Sequence, residues 1–167
     1  MKPIISIIVA IAQNNAIGKG NQLLWHISDD LKRFKHLTEG HTVVMGKRTY
    51  YSLPKRPLAN RRNVVITDLP GETIEGCVMA YSIPDALNQM EEGRENFIIG
   101  GGSVYSQFLP LADRLYLTVV HKNFDADTFF DAINFGEWKE TWREERQTGE
   151  FAYSFVNLER IKGKKRI

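Results

Sequence analysis

From Ile4 to Ala12 the chain is apolar almost without interruption and rich in β-branched residues, the pattern of a strand buried on both faces. From Ile27 the period changes. Ile27, Leu31 and Phe34 recur at spacings of three and four, which predicts a helix over 28–37. Ser28 stands at its N-cap position, and Asp29 and Asp30 fall in its first turn, where the helix dipole favours negative charge. Strand and helix patterns then alternate. Strands are expected at Thr42–Met45, Asn63–Thr67, Cys77–Ala80, Phe97–Ile99 and Arg114–Val120. Short helices are expected at Lys47–Ser52, from Ser82 to about Glu91 with Pro84 in the first turn, and at Val104–Phe108. Two longer stretches of alternating character, around Trp138–Arg146 and Phe151–Arg160, flank Thr148-Gly149 and predict an antiparallel hairpin. The fold class is therefore α/β: a mostly parallel central sheet with a C-terminal antiparallel strand pair, flanked by helices.

A length of 167 residues suits one domain, expected over 1–161, with a basic tail at 162–167. The net charge of +2 is too small to argue for nucleic acid or an anionic membrane, and the tail reads as a solvated terminus. Cys77 stands alone, so no intramolecular disulfide can form, no Cys/His metal motif exists, and a reducing cytoplasm is expected. Lys2, the apolar run and Ala10-Ile11-Ala12 resemble a short signal peptide, but the run is at the short end of that range and reads better as a strand. No stretch approaches the ~20 apolar residues of a membrane helix. The four histidines pair with no Ser or Cys motif, so a hydrolytic triad is not expected.

Asp30 lies at the edge of the apolar stripe, while Asp29 is expected to point more to water. A carboxylate on the rim of an apolar cleft can grip a flat, amide-like heterocycle through paired hydrogen bonds. On this stretch alone, the simpler reading is that both carboxylates only favour the helix start. Gly100-Gly101-Gly102 follows a buried strand and opens a helix, so the backbone can approach an anion closely; it also reads as an ordinary tight turn. Gly46-Lys47-Arg48-Thr49 is a second such turn. Its two cations oppose the helix dipole, an oddity that favours an anionic ligand.

These segments occur in a telling order. Ile4–Ala12, the loop Asn14–Trp25, Trp25…Asp30-Leu31…Phe34, Met45-Gly46-Lys47-Arg48-Thr49 and Ile99-Gly100-Gly101-Gly102…Tyr105 together resemble the dihydrofolate reductase family, from about Ile4 to about Arg160. The resemblance implies NADPH-dependent reduction of 7,8-dihydrofolate, with dihydrofolate and antifolate-type small molecules as ligands and a monomer as the expected form. It implies that Asp30 grips the pterin, helped by Trp25 and Thr118. Apolar walls come from Ile8, Val9, Leu31, Phe34, Leu53 and Ile99, with Tyr105 and Thr118 completing the pocket. Arg61, and more weakly Arg56, would hold the glutamate carboxylate of the substrate. The cofactor would lie along Ala10, Ile17, Gly18, Asn21 and Leu23, the turn Gly46, Lys47, Arg48 and Thr49, the pair Thr67 and Asp68, and the run Gly100, Gly101, Gly102, Ser103, Val104 and Tyr105. The first two glycines of that run would be joined by a cis peptide. Asp127 would bond the mobile loop. No metal is implied.

The chain departs from the family pattern at four places. Asp68 stands where a hydroxyl or basic residue is common, Ser103 where several members have Arg, and Tyr81 where some have Lys. Lys47 and Arg48 are then left to favour the 2′-phosphate of NADPH. Leu24 replaces the usual Pro before the Trp, which loosens the local backbone. Two other readings are a pyrimidine reductase of riboflavin synthesis, which shares this fold, and a non-catalytic nucleotide-binding module. The Trp25…Asp30 spacing and Arg61 argue against the first, and the intact acid, glycine turn and loop against the second.

Overall fold

The structure, a computed structural model, describes residues 1–19 and 24–163. Its centre is an eight-stranded sheet. The strands are β1 (Ile4–Ala12), β3 (Thr42–Gly46), β4 (Arg62–Ile66), β5 (Cys77–Ala80), β6 (Glu95–Gly100), β7 (Arg114–Val120), β9 (Trp138–Gln147) and β10 (Ala152–Arg160). They run in the order β5-β4-β3-β6-β1-β7-β10-β9. Pairing is parallel from β5 through β7 and antiparallel from β7 through β10 to β9. This is the architecture expected from the sequence. A separate pair joins β2 (Ala16–Gly18) to β8 (Thr128–Phe129), antiparallel. Both strands are too short to show a period.

Alternation along the strands divides the core into two layers. Ile5, Ile7, Val9 and Ile11 of β1 face a layer with Val44, Val64, Ile98 and Leu117, covered by α3 (Ile83–Asn88) and α4 (Gly102–Phe108) through Ala86, Val104 and Phe108. Ile8 faces the opposite layer with Val43, Met45, Val65 and Phe97, covered by Phe34 and Leu37 of α1 (Ser28–Thr38) and Tyr50 of α2 (Lys47–Ser52). A third group, Ile27, Val120, Tyr153 and Phe155, packs with Trp25, Phe124 and Phe151.

Two helix ends differ from expectation. Ile27, not Ser28, occupies the cap position of α1, and its carbonyl accepts from the N–H groups of Asp30 (3.1 Å) and Leu31 (3.2 Å). Burial of Ile27, 3% exposed, holds the chain there, so Ser28 becomes the first helical residue rather than a side-chain cap. Helix α3 stops at Asn88, short of Glu91, because the N–H of Glu91 donates to Asn96 Oδ1 (2.8 Å) instead of continuing the helix. Ser82 caps α3 as expected, accepting from the N–H of Asp85. In the hairpin, the Thr148 N–H donates to the Phe151 carbonyl at 2.8 Å. The edge strand β9 carries an exposed run of charges, which disfavours pairing with a further strand. No described helix is long and apolar enough to cross a membrane.

Candidate active site

Helix α1 is held to the sheet by two of its own charged residues. Arg33 Nη1 donates to the Leu117 carbonyl (3.2 Å) and Nη2 to Asn157 Oδ1, and its guanidinium lies over the Phe155 ring at 4.7 Å. Asp29 Oδ2 pairs with Arg146 Nη1 at 3.0 Å and accepts from the Tyr153 hydroxyl at 3.4 Å. Asp29 points more to water than Asp30, as expected, its side chain 46% exposed, and it also tethers α1 to the C-terminal hairpin. Between these anchors Asp30 faces β7, where the Thr118 hydroxyl donates to Asp30 Oδ1 at 2.5 Å.

Thr118 is 2% exposed and sits beside Ala10 in the register of β1 with β7. Burial pushes the Asp30 carboxyl above the ordinary aspartate range, and the Thr118 hydrogen bond and the Arg33 charge only partly oppose it. Asp30 thus takes up a proton more readily than a solvated carboxylate. The Tyr105 hydroxyl donates to the Ile8 carbonyl at 2.9 Å. Burial and the nearby Asp30 charge raise its pKa, so it stays a neutral phenol. Trp25 packs against Phe124 with tilted rings, centroids 5.1 Å apart, in the group that buries Ile27. That packing fixes the approach of the chain to the helix carrying Asp30.

The expected apolar wall is assembled only in part. Ile8, Phe34, Leu53 and Ile99 belong to one layer. Leu31, 48% exposed, lies outside that layer. Val9 does not join it: its side chain packs in the opposite layer with Ile7 and Ile11, because neighbours on a strand point to opposite faces. Only its backbone is shared with Ile8. Arg61 is held by its neighbours. Nε donates to the Ala59 carbonyl (2.8 Å), Nη1 to Thr38 Oγ1 (3.1 Å), and the guanidinium sits over Phe34 at 6.0 Å. No carboxylate pairs with it among the described residues, and partial burial lowers its pKa. Arg56 is instead turned onto Tyr51, donating to the Tyr51 carbonyl at 2.8 Å with its guanidinium over that ring.

The two glycine turns meet. A Cβ at Gly100 or at Gly101 would lie 3.3 Å from Thr49 Oγ1, and one at Gly46 would lie 3.3 Å from Val104 Cγ2. At Gly102 it would strike Thr128 Cγ2 at 2.6 Å, with Ile17 Cδ1 at 4.0 Å. Gly46, Thr49, Gly100, Gly101, Gly102, Val104 and Ile17 thus form one cradle in which backbone approach is possible where side chains would fill it. The Gly100–Gly101 peptide is cis, as the resemblance implied. Neither α2 nor α4 has a side-chain cap. The Gly18 carbonyl accepts from the Asp127 N–H at 3.1 Å, so Asp127 does bond the loop, through its backbone. Asn21 and Leu23 lie outside the described residues, as does the end of the basic tail.

At the Gly46–Thr49 turn the charges are arranged differently from expectation. Lys47 Nζ is paired with Glu72 Oε2 at 2.8 Å, and the Thr67 hydroxyl donates to Glu72 Oε1. Arg48 is exposed and pairs with no carboxylate among the described residues. Asp68 is exposed, and Ser103 Oγ accepts from Gln107 Nε2 at 3.1 Å. The sequence reading missed Arg33, Thr128 and Glu72. Only Glu72 left a signal: Pro70-Gly71 marks a turn, with Gly71 at φ +80°, which folds position 72 back toward Thr67. Among the described residues no group of His, Cys, Asp and Glu is disposed to hold a metal.

The sequence profile of the dihydrofolate reductase family matches residues 4–160. The chain is 38% identical to the dihydrofolate reductase of Bacillus subtilis, over 93% of this chain and 94% of that protein. It is 44% identical to the type 3 dihydrofolate reductase of Salmonella typhimurium, over 94% and 98% respectively. Among solved structures, it is similar to the dihydrofolate reductase of Enterococcus faecalis complexed with NADP(H), with a TM-score of 0.84, 32% identity, and coverage of 94% of this chain and 96% of that one.

Proposed function

This chain belongs to the dihydrofolate reductase family, and we propose that it reduces 7,8-dihydrofolate to tetrahydrofolate through the residues gathered around Asp30. The observation that carries this reading is the largely buried Asp30 carboxyl, held by Thr118 at 2.5 Å and biased toward protonation. Asp30 presents one planar, hydrogen-bonding edge to the amidine-like edge of a pterin. Its raised proton affinity lets it favour protonation at N5, which makes C6 electrophilic. Thr118 fixes the carboxyl orientation. Ile8, Phe34, Leu53 and Ile99 supply an apolar wall for the rings, and Arg61, oriented by Thr38 over Phe34, receives the glutamate carboxylate in a charge-assisted bond.

The glycine cradle fits NADPH. Gly46, Thr49 and Gly100 to Gly102 would hold its phosphates, Ala10, Ile17 and Gly18 would line the nicotinamide side, and Arg48 is available to the 2′-phosphate. Bound NADPH supplies the hydride. The chain's own part is to place the acceptor, exclude water and bias the proton at N5. The working unit in this reading is a single domain over residues 1–161 acting as a monomer, with antifolate-type ligands as competitors for Asp30. A cytoplasmic location agrees with this cofactor use.

The test is nicotinamide oxidation, followed by absorbance, with dihydrofolate present and absent. Oxidation that requires dihydrofolate is the expected result. Oxidation independent of dihydrofolate, or none with it, would overturn the proposal.

A further inference from the structure

Strands β3 and β4 are parallel neighbours, with Gly46 opposite Ile66. Lys47 and Thr67 therefore leave the sheet side by side at its carboxyl edge, where α/β sheets bind ligands. The pair is a ready anion site: one ammonium, and one hydroxyl on a residue 4% exposed. It already has an anion in it. Glu72 sets one carboxylate oxygen on Lys47 Nζ at 2.8 Å and receives the Thr67 hydroxyl on the other. The turn Leu69–Glu72 delivers that carboxylate, closed by the Glu72 N–H on the Leu69 carbonyl (3.1 Å) and by the Tyr81 hydroxyl on the Glu72 carbonyl (2.9 Å). Asp68 adds a second negative charge nearby, and both acids raise the proton affinity of Lys47. Arg48 is the remaining cation of the turn.

We propose that Glu72 is a specificity-determining residue for the cofactor: its carboxylate occupies the Lys47–Thr67 anion site and competes with the 2′-phosphate of NADPH. This rests on the reading that the turn binds the adenosine ribose of a nicotinamide cofactor. A 2′-phosphate must displace Glu72 or share Lys47 with it, and either weakens binding of the phosphorylated ribose. A 2′-hydroxyl meets no such competition, since a carboxylate can accept its hydrogen bond. Glu72 therefore narrows the gap between NADPH and NADH from the NADPH side.

Calorimetric binding of adenosine 2′,5′-bisphosphate and adenosine 5′-monophosphate separates this from a structural role. Glu72→Gln should tighten the bisphosphate by about two- to fivefold, the scale of one partly exposed ion pair, and leave the monophosphate unchanged or weaker. In a Lys47→Ala background the same change should give little gain, because there is no longer a cation to compete for. Glu72→Ser serves if the Gln variant fails to fold. No gain for the bisphosphate, equal gains for both nucleotides, or an undiminished gain without Lys47 would each overturn the proposal. Turnover with NADPH and NADH in the unaltered enzyme keeps the two levels apart. Inactivity with both cofactors removes the parent reading, whereas activity with unresponsive nucleotide binding removes only the role of Glu72.

Discussion

Asp30 and Glu72 are both carboxylates that accept a threonine hydroxyl, and their surroundings drive them in opposite directions. Asp30 is largely removed from water, and its direct partner is a neutral hydroxyl; burial outweighs the opposing influences and its proton affinity rises. Glu72 stays closer to solvent and is paired with an ammonium, so its proton affinity falls. One group is thereby suited to holding or biasing a proton, and the other to remaining a fixed negative charge. The difference lies in the partner and the depth, not in the side chain.

Removing the buried carboxylate should have the largest effect. Asp30→Asn keeps the shape and loses the charge and the proton, and turnover at neutral pH should drop on the order of 100-fold or more, measured under saturating substrate and cofactor. Arg61→Leu comes next. Its contact is remote from the reacting carbon and contributes binding shared by ground and transition states, so KM for dihydrofolate should rise about tenfold or more, with kcat little changed. A substrate lacking the glutamate should be nearly indifferent to it; equal losses for both substrates would assign Arg61 another role.

Thr118→Val sharpens the contrast from the other side. It removes the donor that partly offsets burial, so the Asp30 pKa should rise further and the kinetic pKa should move to higher pH, with a stability loss of about 1–3 kcal/mol. A kinetic pKa that does not move would separate Thr118 from the acid.

Stability should report the two carboxylates with opposite signs. Asp30 has a raised folded-state pKa, so its favourable contribution is complete below the ordinary value of 3.8 and is lost as pH rises through the folded value. Ionised Asp30 is then a net cost near neutrality, and Asp30→Asn should raise Tm there, with the gain shrinking on acidification. Glu72 has a lowered pKa, so its contribution is present above the ordinary glutamate range and lost as pH falls. Glu72→Gln should lower Tm slightly at neutral pH. Thermal melts of both variants across pH test this, and shifts of the same sign would dissolve the comparison.

The sheet was legible because its strands carry their own signal. The apolar run of β1 reflects burial on both faces, and burial is what hydrophobic patterning records. Asp30 was legible as an acid on an apolar rim, and the glycine turns as places of close backbone approach. What stayed hidden depends on contacts distant in sequence. The short pair β2–β8 exists through Ala16 meeting Phe129. Arg33 looks like a solvated helix residue until β7 and β10 supply Leu117, Asn157 and Phe155. Asp29 remains partly exposed, but its pairing with Arg146 appears only when the hairpin returns to α1. Val9 was assigned to the wrong layer because β1 is buried on both faces, and even its one polar residue, Ser6, is fully buried and so marks no solvent face. Glu72 stayed hidden because its pairing with Lys47 depends on the turn Leu69–Glu72 folding back beside β3.

The central claim is that Asp30 supplies or biases the proton that accompanies hydride transfer. The measurement that tests it most directly is the single-turnover rate of hydride transfer across pH, for the unaltered enzyme and for Asp30→Asn, with dihydrofolate and NADPH preloaded. The unaltered enzyme should hold its rate to a pH above the ordinary aspartate range and then fall. Asp30→Asn should be slow near neutrality and gain rate as acidification protonates the substrate itself. Matching rates and matching pH profiles for the two proteins would contradict the account.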